Sequence, residues 1–199
     1  MKSFESLLEA SAIAHGHLCA GQVIGVRMAM LGCRLVDIDD PTSPKFKKKL
    51  IVYVEMDRCA TDAISSVTGC RLGKRTLKFK DYGINAATFV NLETRKAVRI
   101  VSTEASRELV KCYAPEEEHH YQQQMKGYKI MPENELFDVQ WGAVDLPEQD
   151  MPGPPQTHTT CAKCGQVVRD TREIMVDGQP LCRICAGEGY FTSMGSVTL

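Results

Sequence analysis

The stretch Ala20-Gly21-Gln22-Val23-Ile24-Gly25-Val26-Arg27-Met28-Ala29-Met30-Leu31 decides how the rest of the chain must pack. Gly21, Gly25 and Ala29 recur every four residues, so a helix here carries a smooth stripe along which another backbone can approach closely. Val23, Val26 and Met30 add a second apolar row. A glycine inside a helix costs about 1 kcal/mol relative to alanine, and close packing is the compensation this pattern predicts. The segment is read as a buried central helix.

Outward from it, residues 3–14 predict a preceding helix, with Phe4, Leu7, Leu8 and Ser11 on one face and Ser3 as its cap. On the other side, Leu50 to Met56 is the best strand, centred on Ile51, Val52, Tyr53 and Val54. A short helix follows over 60–68, where Ala60, Ala63, Ile64 and Val67 hold helical spacing. Strands are expected at 76–80, 86–92 and 96–101, and helices at 104–111 and 116–126. Without regular alternation of strand and helix, the fold class is α+β with a mostly antiparallel sheet.

Pro147 to Pro155 holds four prolines and a glycine in nine residues, an extended and rather stiff connector. Residues 1–146 are therefore expected to form the main domain, 147–156 the linker, and 157–199 a small module. Such a module is too small to rely on an apolar core. It carries Cys161-x2-Cys164 and, after seventeen intervening residues, Cys182-x2-Cys185. Each pair can place two thiolates on one ion, and two pairs complete the tetrahedral shell that zinc prefers. A treble-clef-like structural zinc site follows, with Asp177-Gly178 as a hairpin turn.

Nine cysteines, an odd number, and a start without the apolar run of a signal peptide point to a reducing compartment, and the chain is read as cytoplasmic. No segment is apolar for long enough to cross a bilayer. The net charge of -1 creates no field for nucleic acid or anionic membrane, and the tail balances four Lys/Arg with four Asp/Glu. Protein contact or bracing is thus the preferred role of the tail.

His15-Gly16-His17-Leu18-Cys19 interrupts the first two helices. In extended backbone, alternate side chains share one side, so His15, His17 and Cys19 could converge. Cys19 would stand at a helix N-terminus, where the dipole favours thiolate. Cys59 begins the helix after the best strand and could join His17 and Cys19 as a third ligand, leaving the open position of a catalytic metal site. Asp62, one turn further, could orient a ligand or handle a proton. His15 and Asp62 are the candidate catalytic groups. The alternative, histidines capping helix ends around a simply buried cysteine, stays open from these residues alone.

Cys33, Cys70 and Cys112 read as buried, inert thiols, although Cys70 could approach the core site. Gly69 to Lys74 has the look of a phosphate loop but too few intervening residues and no Ser/Thr after the lysine. Lys45, Lys47, Lys48 and Lys49 read as a solvated loop, whereas Arg71, Lys74, Arg75, Lys78 and Lys80 could border a pocket for an anionic substrate. His119, His120 and His158 make no convincing ligand set.

The segment His15-Gly-His-Leu-Cys-Ala-Gly with Gly25-Val-Arg-Met-Ala resembles the N-terminal signature of the E-subunit family of formylmethanofuran dehydrogenase. Cys59-Ala-Thr-Asp-Ala-Ile, Thr68-Gly-Cys-Arg-Leu-Gly-Lys and Asp81-Tyr-Gly-Ile-Asn-Ala-Ala-Thr-Phe are similar to its second block, and the tail to the zinc-finger extension of some members. Ala20 stands where many relatives have proline. The resemblance implies an α+β core that pairs into a homodimer, often with bound metal, and membership of a larger oxidoreductase complex in one-carbon metabolism. With no dense ferredoxin-type cysteine run, formylmethanofuran oxidation by this chain unaided is not expected. The expected function is a metal-binding component of one-carbon or redox metabolism, with a second metal, zinc being one candidate, in the core site. The alternative is a non-catalytic regulatory or docking module. Nucleic-acid binding through the tail is the weakest reading.

Overall fold

The computed structural model describes residues 1–195, so the last four residues of the tail lie outside the described residues. The chain divides into two compact units, 1–146 and 147–199.

In the first unit the helices are α1 (Phe4–His15), α2 (Ala20–Leu35), α3 (Cys59–Thr68), α4 (Ala105–Tyr113), α5 (His120–Ile130) and the single turn α6 (Glu133–Leu136). The strands are β1 (Leu50–Val54), β2 (Leu77–Phe79), β3 (Ala86–Asn91), β4 (Ala97–Ser102) and β5 (Phe137–Gly142). They form one sheet in the order β2-β1-β3-β4-β5. Only the β1–β2 pairing is parallel; β1–β3, β3–β4 and β4–β5 are antiparallel. The chain is thus an α+β protein.

The glycine stripe of α2 explains the helical layer. A Cβ on Gly25 would lie 2.5 Å from the Ala60 carbonyl oxygen and 2.7 Å from Ala63 Cβ, so α3 rests directly on α2. A Cβ on Gly32 would lie 2.3 Å from the Phe89 ring, so the same helix also meets the sheet. Val52, Val54, Ala87, Phe89, Val98 and Ile100 face this core together with Val23, Val26 and Met28. The alternate residues Ile51, Tyr53, Val90 and Ala97 form a smaller cluster on the opposite face, covered by Leu92, Val144 and Leu146. Burial on both faces is why β1 reads as an unbroken apolar run rather than an alternating one.

Two differences from the sequence pattern have physical causes. Helix α5 is displaced toward the C-terminus of its predicted span. There Arg27 donates to the carbonyls of Tyr128 (2.7 Å) and Met131 (2.6 Å), and Pro132 follows. Strand β5 has no counterpart among the expected elements. Val139 and Trp141 are largely exposed, so it is held by its backbone ladder to β4 rather than by a buried face.

In the second unit, β6 (His158–Thr160) pairs with β7 (Val167–Arg169), and β8 (Ile174–Val176) pairs with β9 (Gln179–Leu181). Asp177 and Gly178, both with positive φ (49° and 76°), make the tight turn between β8 and β9. A short helical turn, Ile184–Glu188, follows. Within 147–156, Glu148–Asp150 forms a single tight helical turn and Arg172 pairs with Asp150.

Candidate metal centres

Helix α1 ends at His15 because Gly16 adopts the left-handed conformation (φ 96°), its amide donating to the Ala12 carbonyl at 2.9 Å. Cys19 is the N-cap of α2 in extended backbone, and its carbonyl accepts from Gln22 (3.0 Å) and Val23 (3.2 Å). The chain therefore reverses between two helices within three residues. This reversal, not the extended alternation expected from the sequence, brings His15, His17 and Cys19 together. One ligand atom from each of the three lies within 4.8 Å of the others. The two imidazole rings are 4.8 Å apart between centroids.

His15 has the environment of a ligand. Its Nδ1 bonds to Asp62 Oδ2 at 2.9 Å, which places the proton on Nδ1 and leaves Nε2 with a free lone pair. That Nε2 is buried and has no hydrogen-bond partner. A buried, unpartnered acceptor costs about 1–3 kcal/mol unless something binds it, and a carboxylate on the far nitrogen is how metal-binding histidines are oriented. Nitrogen, nitrogen and sulfur donors suit zinc and its neighbours in the transition series. The donor set fits a metal ion.

Cys59 begins α3 beside Cys19. A Cβ on Gly21 would fall 2.9 Å from Cys59 Cβ and 3.7 Å from Cys19 Sγ, so glycine at this position lets the two cysteines meet. Burial and a hydrogen bond with Cys19 push the Cys59 thiol above its usual range. The tight trio is thus His15, His17 and Cys19, with Cys59 flanking Cys19 and Asp62 behind His15. His15, expected to assist, stands within the trio itself.

One supporting residue escaped the sequence reading. Gln22 is fully buried, accepts from the Ser11 hydroxyl and donates to the Cys59 carbonyl at 2.6 Å. It joins α1, α2 and the start of α3, the three segments that carry the site. Its signal was a lone amide inside the apolar run of α2.

In the second unit the thiols of Cys161, Cys164, Cys182 and Cys185 lie within 4.8 Å of one another. Cys164 Sγ and Cys182 Sγ are 3.8 Å apart, close to the roughly 3.8 Å edge of a tetrahedron with zinc–sulfur bonds of about 2.3 Å. Gly165 (φ 74°) closes the first turn, its amide donating to Cys161. A backbone hydrogen bond from Cys182 brings the Cys161 thiol down to about 6. A hydrogen bond with the Cys182 thiol pushes Cys185 up to about 12. One sulfur is readily ionised while another holds its proton, as expected when four thiols crowd a space that a cation would neutralise.

The remaining thiols do not join either group. Cys70 is not near the core site: it follows the C-terminal end of α3, whereas Cys59 begins that helix, and its thiol faces the Leu50 carbonyl at 3.7 Å. Burial pushes the Cys70 and Cys33 thiols upward, as inert cysteines require. Cys112, expected to be buried, is exposed. His119, His120 and His158 are exposed.

The core is thus an α+β domain with a His/Cys group capable of holding a metal ion. The family described as "FmdE, Molybdenum formylmethanofuran dehydrogenase operon" matches residues 14–138, and the chain belongs to it. A probable S-adenosyl-L-methionine-binding protein of Archaeoglobus fulgidus is 30% identical over 195 residues, covering 88% of this chain and 51% of that protein. The chain therefore spans about half the length of this curated relative. An FmdE-like protein of tungsten formylmethanofuran dehydrogenase type from Syntrophus aciditrophicus shares the fold at a TM-score of 0.62 and 17% identity, with 96% of each chain covered. Among the described residues no helix is long and apolar enough to cross a membrane.

Proposed function

We propose that this chain is a metal-dependent component of one-carbon or redox metabolism, with a functional ion in the first unit and a structural zinc in the second. The observation that carries this reading is the buried His15 Nε2, without a partner and aimed by Asp62 into the group completed by His17 and Cys19. Cys59 is the further ligand candidate, and His15 and Asp62 form the pair that can orient the ion or move a proton. A bound ion with an open position would polarise a carbonyl-type group or activate water. Family membership supports the metabolic setting, a homodimer, the cytoplasm as location, and docking on a larger oxidoreductase complex.

The test is metal analysis of protein purified without added metal. About two equivalents per chain are expected, falling to about one in H17A/C19A with the tail intact. Retention of both metals in that variant would show that the ligands lie elsewhere.

A second reading is favoured by the A. fulgidus relative, named for probable S-adenosylmethionine binding. An open groove of about 760 Å³ runs past Gly16 and Leu18, lined by Phe4, Leu8, Ala12 and Ile130, with Glu5 and Glu9 able to face a sulfonium. Calorimetric titration with S-adenosylmethionine decides it: saturable heat lost on E5Q/E9Q supports it, and absence of heat removes it.

A further inference from the structure

At the far end of α3 from the metal centre lies a second cavity, of about 590 Å³, in the size range of small-molecule sites. Two basic clusters separated in sequence meet there: Lys47 and Lys48 from the turn before β1, and Lys74 from the loop before β2. The lysine run that reads as a solvated loop in the sequence is therefore joined to the cluster that reads as the border of an anion pocket. Phe46, Leu50, Pro41 and Pro44 supply an apolar wall.

The charge balance of this cavity is one-sided. None of its lining residues is acidic. Elsewhere in the unit, cations are matched: Lys49 with Glu93, Lys96 with Asp37, Arg99 with Glu55, and Lys126 with Glu116. Among the described residues Lys47, Lys48 and Lys74 form no ion pair with a carboxylate. The nearby Asp40 carboxylate is occupied by the Thr42 amide (3.1 Å) and hydroxyl (2.7 Å).

Neutral donors cannot take the place of the lysines. The Thr42 hydroxyl donates to Asp40, the Ser43 hydroxyl to the Asp40 carbonyl at 2.8 Å, and the Thr68 hydroxyl to the Ile64 carbonyl at 2.6 Å. Their protons are committed, so three ammonium groups are what the cavity offers a ligand. Lys48 is moreover held in the left-handed region (φ 61°), the conformation that turns the chain between Phe46 and Lys49 and sets both lysines at the rim. Gathering three like charges around a partly apolar hollow raises the local potential for a negative ion.

We propose that this cavity binds a small organic anion, its phosphate or carboxylate group held by Lys47, Lys48 and Lys74 and its apolar body against Phe46, Leu50 and Pro44. The site is separate from the metal centre: α3 spans ten residues between them, about 15 Å of helix. It does not depend on the metal reading.

The experiment is calorimetric titration of the full chain with phenyl phosphate and, separately, benzoate, in chloride buffer at low ionic strength. Saturable binding of at least one probe is expected, and which one binds names the head group. The lysines are exposed, so K47Q/K48Q/K74Q is expected to keep the circular dichroism spectrum and melting temperature of the parent while binding at least tenfold more weakly. H17A/C19A should bind as the parent does, which separates this site from an anion captured by the metal. Absence of saturable heat with both probes overturns the proposal. So does equal affinity in the lysine variant, or loss of binding in H17A/C19A instead.

Discussion

The two cysteine-bearing units reach a cation site by opposite routes. In residues 1–146 the trio sits on a framework that packing already holds: α2 lies against α3 through Gly25, meets Phe89 through Gly32, and buries Val23, Val26 and Met28. Among the described residues of the second unit, the only buried apolar residues are two of the thiol bearers, Cys161 and Cys182. There the ligands are the core. The first unit positions a site, whereas in the second the site must hold the fold, and the two should answer very differently to the same perturbation.

Metal removal should separate them most. Structural zinc contributes roughly 10–16 kcal/mol to small modules of this kind, more than a hairpin pair without a core can replace. Chelation, or Cys182→Ser, should therefore collapse the amide resonances of residues 157–190 while leaving those of 1–146 dispersed. Persistence of the tail resonances without metal would erase the contrast. The reverse perturbation acts on packing. In Gly25→Val the added atoms meet the backbone of Ala60, so α3 must move away from α2. A loss of about 3 kcal/mol in the first unit is expected by urea denaturation, with core-site metal lost as Cys59 and Asp62 shift and tail metal retained. A stable Gly25→Val protein would show that α2 and α3 are not in close contact.

A third change tests the polar link alone. Gln22→Ala leaves the Cys59 carbonyl and the Ser11 hydroxyl without their buried partner, a cost of about 2 kcal/mol. Gln22→Glu keeps the acceptor for Ser11 but loses the amide donor to Cys59. Lower core-metal affinity in both, with unchanged tail metal, would assign Gln22 a positioning role. Equal metal content would leave it a structural residue only.

The contrast also explains what the sequence could disclose. The tail ligands are read directly, because two Cys-x2-Cys turns need only local geometry to present their sulfurs. The central helix is equally legible, since Gly21, Gly25 and Ala29 have little use except close approach. The core site is less so. His15, His17 and Cys19 are adjacent in sequence, but their convergence depends on the left-handed turn at Gly16 rather than on alternation. The pairing of His15 with Asp62 spans 47 residues and is fixed only once α3 has docked on α2. Strand β5 was illegible for a related reason: its place is set by the ladder to β4, while Trp141 and Val139 leave no buried face to read. The anion cavity needed tertiary structure too, since Lys48 and Lys74 come from separate loops.

The smallest predicted effect carries the sharpest information about the first unit. Asp62 is largely exposed (64% of its side chain), so Asp62→Asn should alter stability by no more than about 0.5 kcal/mol. Its amide can still touch His15, but it no longer stabilises the Nδ1–H tautomer as a carboxylate does, and it weakens His15 Nε2 as a donor. Removing such an orienting carboxylate lowers metal affinity roughly 10- to 100-fold. Competition against a chromophoric chelator should therefore show one weakened site and one unchanged site per chain, with superimposable urea curves. Two unchanged sites would mean that the carboxylate merely caps a histidine, and that the packed unit holds its trio without using it for metal.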